Sequence, residues 1–484
     1  MRVGATPFSD PRQLAAIDEL LLDKPEEIAF LFGRACCLED LGRIDDALQA
    51  YIRVLDRQPT HFGALTNLGS LLFERGRAAD ARPYVTAAAA LYPRDPVAQV
   101  NLGHLHAGAG DVEAALAAYQ TALQVKPDFL HAHLGLAAVH TSLDDPERAQ
   151  QHLDRAYAEP KAWSLPYRGS APPLQVLLLV SALGGDMVTN LFFDDEVVQK
   201  CVLLADSVRG ALSIPPYHVL FNAIGDADRS RASLERAVAI AAASPAAIIN
   251  DPAAVLQTGR VETMRRLRGL DGVRAPRTER IARAALTADA LRGRGFVFPL
   301  LLRSPGHHSG DHFAVVTSPD ELDEIAATLP GRELLAIEYL DARGADGDVR
   351  KYRVVAVDGK LFPVHLAIAP QWKVHYFSAA MADRPDHRAE EAAFLEDMPA
   401  VVGEQGMRAL EAICAAMGLD YAGVDFGLAR DGTGTILVFE ANATMAVYPP
   451  DAGASWGFRR RAVDRVIAAV REMLVTRAKT AGYA

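Results

Sequence analysis

Asp425, Glu440 and Asn442 lie in YAGVDFGLARDGTGTILVFEANATM (421–445), where two apolar, strand-like runs flank Asp431-Gly432-Thr433-Gly434. Glycine at such positions permits the positive φ of a hairpin connection, so GVDF and ILVFEAN are expected to pair antiparallel. A hairpin centred between Gly432 and Thr433 sets Asp425 opposite Glu440. Glu440 and Asn442 are two apart on one strand and share a face, and cross-strand neighbours on a face approach to about 5 Å. Two carboxylates that close repel unless a cation neutralises them, and oxygen donors completed by water suit Mg²⁺. The competing reading of the hairpin alone is a polar stripe facing solvent.

Other polar residues have strand spacing too. Lys351 and Arg353 share a face of KYRVVAV, and Lys373 and His375 share one in WKVHY, with His365 upstream. Lys373, His375 and His365 are expected to bind a substrate carboxylate or an acyl phosphate. Alternatively, Trp372, Val374 and Tyr376 pack inward and leave Lys373 and His375 solvated. Arg303 precedes the small-residue stretch SPGHHSGDH, whose composition suits a mobile lid. His307, His308 and His312 with Asp311 are read as phosphate contacts or solvated groups in preference to a transition-metal site. No GxxxxGK[ST], GxGxxG after a strand, GxSxG or HExxH is present.

The elements around these residues read as α/β. LQVLLLVSA (174–182), KCVLLAD (200–206), YHVLFNAIGDAD (217–228) and AAIIND (246–251) are short continuous apolar runs alternating with helical segments. That pattern predicts a mostly parallel sheet covered on both faces. TERIARAALTADALRGRG (278–295) reads as a helix. The least patterned segments, 187–195, 222–228 and the stretch after Tyr376, are expected to build the substrate pocket.

The front of the chain repeats with a period of 34. Gly42, Gly76 and Gly110 keep one phase, with Asp144 at the next step; Ala47, Ala81, Ala115 and Ala149 keep another, and Pro59, Pro93 and Pro127 close the units, with Pro25 one step earlier. Two helices with small residues at their contact, glycine at the turn and proline after the second helix form the tetratricopeptide pattern, over residues 11–160. Such arrays stack into a superhelix with a concave face, expected to dock a peptide, a protein or a second copy of the chain, or else to serve as an architectural extension. Asn67 and Asn101, equivalent in successive repeats, are candidate peptide clamps or local turn caps. EPKAWSLPYRGSAPP (159–173) breaks the repeat as a linker.

At 484 residues the chain needs two or three domains. Its net charge is −11, of which residues 1–160, with 14 Lys and Arg against 22 Asp and Glu, carry −8. The balance argues against a nucleic-acid surface, and it favours a basic or hydrogen-bonding partner for the repeats. Four cysteines without metal-ligand spacing are read as reduced. No run is long and apolar enough to span a membrane and no secretory leader is evident, so a cytoplasmic location is expected.

The segments 248–278, 298–312, 333–360 and 364–376 and the hairpin, in that order, resemble the ATP-grasp superfamily, and within it the glutathione-synthetase-like carboxylate–amine ligases, over residues 172–478. The resemblance implies an α plus α/β chain. Its parts are an all-α tetratricopeptide solenoid (1–160), a linker (161–173), a pre-ATP-grasp parallel α/β domain (174–252) and a two-lobed ATP-grasp fold (253–480, lobes 253–336 and 337–480). It further implies that Arg260, Arg303, Ser309, Gly310, Glu338, Tyr339 and Leu340 bind ATP. Asp425, Glu440 and Asn442 would hold Mg²⁺, two ions in all, and Arg353 would stabilise the transferring phosphoryl group, with Lys373 and His375 at the substrate. Arg303 stands where the family usually has Lys, and RVET after Gly259 lacks the family's common Asp-Lys pair. The implied activity is formation of an acyl phosphate from ATP and a carboxylate, then attack by an amine. A small-molecule kinase and a nucleotide-binding scaffold are the alternatives.

Overall fold

The computed structural model describes residues 11–480 apart from 42, 144, 158–161, 209–213, 306–311, 375–378, 380 and 449–453, and also residues 482 and 483. The chain divides into two compact units, Met1–Ala158 and Glu159–Ala484.

The first unit is helical: α1 (Pro11–Asp23), α2 (Ile28–Asp40), α3 (Ile44–Arg57), α4 (Phe62–Glu74), α5 (Ala78–Leu91), α6 (Pro96–Gly108), α7 (Val112–Val125), α8 (Leu130–Ser142) and α9 (Pro146–Ala156). Pro25, Pro59, Pro93 and Pro127 follow α1, α3, α5 and α7, where a ring without an N–H cannot continue the helix. Gly76 and Gly110 turn α4 into α5 and α6 into α7 with φ of 73° and 77°, a region open to glycine without strain. The buried ring of Tyr119 on α7 lies against Gly103 of α6 and Gly135 of α8, and a methyl group on either glycine would collide with it. Asn67 and Asn101 are 2 % and 6 % exposed. Asn67 donates to the Tyr51 hydroxyl at 3.2 Å and Asn101 to Ser70 Oγ at 3.1 Å. Each ties its repeat to the preceding one, so neither is a peptide clamp or a turn cap.

Helices α8 and α9 enclose three imidazoles. His133 Nε2 lies 2.9 Å from the Pro127 carbonyl, which makes it the donor and leaves Nδ1 as the acceptor, 3.0 Å from Nδ1 of His152. The His140 ring stacks on His152 with centroids 5.7 Å apart. Burial, then the neighbouring His133, His140 and Arg155, pulls His152 down to about 4, and burial lowers His133 as well. Both are neutral in the fold, whereas an unfolded imidazole titrates near ~6.5. Their contribution is therefore complete above about pH 6.5 and is lost as pH falls toward 4. Hydrogen-exchange protection of α8 and α9, corrected for intrinsic rates, should fall by on the order of 1–2 kcal/mol between pH 7.5 and 5, allowing for partial exposure. His152→Gln should flatten that dependence, and a pH-independent wild type would rule out the neutral pair.

The second unit opens with β1 (Ala162–Ser164), β2 (Leu174–Val180), β3 (Val198–Leu204), β4 (Val219–Asn222), α10 (Arg231–Ala242), β5 (Ala247–Ile249) and α11 (Pro252–Val255). Strands β3, β2, β4 and β5 run parallel in that spatial order, with β1 antiparallel at the β3 edge. The described chain between β2 and β3 is made of turns and a single bridge, where the alternation had predicted a helix. Next come α12 (Arg260–Leu267), β6 (Val273–Arg274), β7 (Thr278–Ala282), α13 (Ala288–Gly293), β8 (Leu300–Arg303), β9 (Phe313–Val316), α14 (Leu322–Thr328) and β10 (Glu333–Glu338). The last part holds β11 (Val349–Val357), β12 (Lys360–Ala369), α15 (Pro385–Glu396), α16 (Met398–Met417), β13 (Tyr421–Leu428), β14 (Ile436–Asn442) and α17 (Arg460–Lys479).

Two further sheets result. One is antiparallel, in the order β7-β10-β8-β9; the other is β12-β11-β13-β14, antiparallel, with β6 parallel at its far edge. The segment 278–295 is a strand at its start rather than a helix, because Thr278–Ala282 pairs along the edge of β10 and buries Ile281 in that sheet's core. β6, expected in the first lobe, pairs with β14 of the second sheet, and α12 packs on β7 of the first as well as on α16 and β14. The parallel sheet buries Leu177, Leu179 and Leu220 against α10 and α11 on one face. Its other face packs Val176 and Phe221 into a core shared with Val355 of β11 and Val466 and Val470 of α17. Such burial contributes about 25 cal/mol per Å² of apolar area removed from water. The four cysteines form no disulfide. No helix among the described residues is long and apolar enough to cross a membrane.

Candidate functional site

Asp425 on β13 faces Glu440 on β14, as the hairpin predicts, and Gly423–Asn442 and Val424–Ala441 keep the same register. Beyond Asp425 the pairing slips, Phe426 facing Val438, so Phe439 is a bulge. Across the other edge of β13, Asp425 faces Arg353 of β11, which faces His365 of β12. His365, Arg353, Asp425 and Glu440 thus form one row across four strands.

At the centre of the row Arg353 and Asp425 form an ion pair. Arg353 Nε and Nη2 donate to the two Asp425 oxygens at 2.6 and 2.9 Å, and Lys351 Nζ reaches Asp425 Oδ2 at 3.0 Å. Asp425 is 2 % exposed. Burial alone would raise its carboxyl, but Arg353 and Lys351 overcome that and hold it well below the carboxylate range. Burial would likewise lower Arg353, and Asp425 more than offsets it. On β14, Glu440 Oε1 accepts from Arg260 Nη2 at 2.7 Å and from Asn442 Nδ2 at 2.9 Å. Asn442 Oδ1 accepts from the backbone N–H and hydroxyl of Thr444.

Asp425 and Glu440 line a cleft of about 170 Å³ between the two antiparallel sheets, with Arg303, Leu301, Phe313 and Glu338 on one side and Val349, Lys351, Arg353, Val438 and Phe439 on the other. Arg260, Tyr339, Leu340, Trp372, Lys373 and Val374 complete it. Among the described residues, five cationic side chains therefore meet three carboxylates, next to an apolar and aromatic wall. Arg303 ends β8, is 6 % exposed and lies over the Phe313 ring at 5.3 Å. Burial, and then Arg260, pulls it down to about 10. It remains charged at neutral pH, and the fold holds that charge at a cost that an anionic ligand would relieve.

The predicted ATP-binding residues Arg260, Arg303, Glu338, Tyr339 and Leu340 come together in this cleft, as do Lys351, Arg353, Asp425 and Glu440. Asn442 lines an adjoining smaller pocket with Asp226, Asp228, Arg260, Glu440 and Thr444. Glu338 accepts from Arg274 Nη2 and from the Arg277 backbone N–H, both at 3.0 Å. Lys373 is exposed at the cleft, while Trp372 packs edge-on to Phe313 at 5.1 Å and Val374 is buried. Residues 370–374 are not a strand: β12 stops at Ala369, before Pro370. His365 is 3 % exposed and does not line the cleft; burial and then Arg353 push it well below its ordinary range and keep it neutral. Ser309, Gly310 and His375, with His307, His308 and Asp311, lie outside the described residues.

Two carboxylates and an amide suit a hard divalent cation. Asp425, however, is engaged by Arg353 and Lys351, and among the described residues no group of three or more His, Cys, Asp or Glu is placed to hold a metal ion. Glu440, which lines both cavities, is engaged as well, its Oε1 accepting from Arg260 and Asn442. Asp228 lies in the segment 222–228 expected to build the substrate pocket, but was not singled out there. It accepts the Arg260 backbone N–H at 2.8 Å and meets Arg280 at 3.3 Å, and its only signal was its place in GDAD after a strand.

Two tetratricopeptide-repeat family models match residues 14–96 and 106–160. The N-terminal unit is an array of tetratricopeptide repeats, and a sheet-containing region follows it. The Protein CTR9 homolog of Arabidopsis thaliana is 30 % identical over 124 residues, which is 25 % of this chain and 11 % of that protein. The chain thus spans about a tenth of the length of that relative. Among solved structures, MamA from Desulfovibrio magneticus RS-1 is 25 % identical over 30 % of this chain and 81 % of its own, with a TM-score of 0.28. PilW, a type IV pilus biogenesis factor, is 24 % identical over 30 % of this chain and 67 % of its own, also with a TM-score of 0.28.

Proposed function

We propose that the second unit is an ATP-grasp ligase that joins a carboxylate to an amine at the expense of ATP, in the cytoplasm. The observation that carries this is the cleft between two antiparallel sheets in which, among the described residues, five cationic side chains meet an apolar, aromatic wall. A nucleotide has the same two halves, a polyanionic chain and a flat heterocycle. Glu338, Tyr339 and Leu340 would hold the base and ribose, and Arg260 and Arg303 the phosphates; Ser309 and Gly310, which the resemblance adds to the ATP contacts, lie outside the described residues. Mg²⁺ entering with the phosphates, held by Glu440 and Asn442, would neutralise their charge.

A substrate carboxylate oxygen then attacks the γ-phosphorus, the bond to the ADP oxygen breaks, and an acyl phosphate forms. An amine attacks its carbonyl carbon, phosphate leaves, and the amine loses a proton. Lys373 and His375 would orient the acid, and the cationic wall would hold the charge that develops on the reacting oxygens. The tetratricopeptide repeats would bring a protein or peptide partner, or a second copy of the chain, to this reaction.

The test is the purified full chain with MgATP and the small-molecule and peptide fraction of its native cell, following ADP, phosphate and new masses. ADP and phosphate in equal amounts, with a product lighter by one water than its two precursors, is the expected result. A product heavier by one phosphoryl group without free phosphate makes it a kinase. Nucleotide binding without turnover makes it a scaffold, and no nucleotide binding removes the reading altogether.

A further inference from the structure

We propose that Lys351 binds the inner phosphates of a nucleoside di- or triphosphate, while Arg353 is a positioning residue that holds Asp425. This rests on the nucleotide reading of the cleft and adds a cation that the resemblance does not assign.

Arg353 uses three of its five guanidinium N–H donors, one on each nitrogen. Nε and Nη2 are on Asp425, and Nη1 donates to the Ala446 carbonyl at 3.4 Å. The group is planar and locked from two sides, so it cannot turn to a ligand without releasing a buried carboxylate. Lys351 is in the opposite position. Its side chain is 15 % exposed, it lines the cleft, and its Asp425 contact at 3.0 Å uses one of three ammonium donors. Asp425 aims the ammonium at the cleft wall, where two of its three donors remain for a ligand.

Strand geometry then says which part of a ligand lies beside it. Val349, Lys351 and Arg353 alternate along one face of β11, and all three line the cleft. Alternate residues on a strand stand about 7 Å apart. Val349 packs in one apolar cluster with Leu340, at the end of the cleft where Glu338 and Tyr339 lie. Arg353 marks the other end, at the row with Asp425 and Glu440. A base resting on Val349 and Leu340 therefore places its first phosphates about one alternate step further on, beside Lys351. Arg303 on β8 faces the same space from the opposite sheet.

The experiment is calorimetric binding of adenosine, ADP and MgATP to the full chain and to Lys351→Met and Lys351→Arg. In Lys351→Met, Asp425 keeps its bidentate Arg353 partner, and an unchanged melting curve checks the fold. The expected result is a loss of about 10- to 100-fold in affinity for both ADP and ATP, unchanged adenosine binding, and recovery in Lys351→Arg. A loss for ATP alone would put Lys351 at the terminal phosphate and overturn the placement. Undiminished affinity for all three would make Lys351 only a counter-ion of Asp425. A wild type that binds none of the three would fail the nucleotide reading itself, a result distinct from both.

Discussion

Asp425→Asn is expected to destabilise the sheet-containing unit by about 3–5 kcal/mol, because removing one partner of a buried ion pair leaves the other charges uncompensated. Asn has nearly the same shape, so the loss comes from charge. Arg353 and Lys351 would both stay in a site where Asp425 itself is only 2 % exposed. A carboxylate whose main work was to share a metal with Glu440 would behave in the opposite way. Its neutralisation would relieve repulsion in the metal-free protein, and urea unfolding would show unchanged or higher stability. The variant thus separates two roles that the residue type alone does not distinguish. Arg353→Met added to Asp425→Asn should return part of the lost stability, since contacting residues couple.

The second large effect belongs to Arg303. Arg303→Met should lower affinity for MgATP by about 100-fold, the loss of a charge-assisted contact made by a buried guanidinium. The same change should raise the stability of the ligand-free unit by about 1–2 kcal/mol. The sign follows from its depressed pKa: burial and Arg260 disfavour the charged form, so at neutral pH the fold holds this guanidinium at a cost that would fade only as pH rises through about 10. Met keeps apolar contact with Phe313 and carries no charge. Affinity and stability moving in opposite directions mark a residue kept for its ligand. Stability and affinity falling together would make it a structural cation.

The polar row is legible in the sequence where a turn lies nearby, and obscure where none does. Asp425 and Glu440 are 15 positions apart around a glycine turn, and their pairing follows from counting. The count holds at that pair even though the register nearer the turn differs, because the Phe439 bulge takes up one residue. Lys351 and Arg353 sit on one face as alternation requires, but the pairing of β11 with β13 spans 72 positions and no loop fixes it. That these cations grip Asp425 could not be read from spacing. The segment after Ala369 fails for a different reason. Pro370 lacks the N–H a ladder needs, so the described residues 370–374 do not continue β12 as a strand, and the Trp372–Phe313 contact positions them instead. In the helical unit the 34-residue phase exposes the glycines and prolines that shape the array. It says nothing of whether an asparagine points out or in, and Asn67 and Asn101 point in.

Tyr119 gives the helical unit a property that its parts do not have singly. Helical repeats touch only their neighbours, so an array can fray from an end one unit at a time. A ring seated at once in the notches of Gly103 and Gly135 belongs to the interior of its own helix pair and to the seam with the next. The last repeat cannot peel away without emptying half of that socket, so its loss and the loosening of the repeat before it become a single event. Under load, such an array would give way in a larger step and later than a stack of independent units.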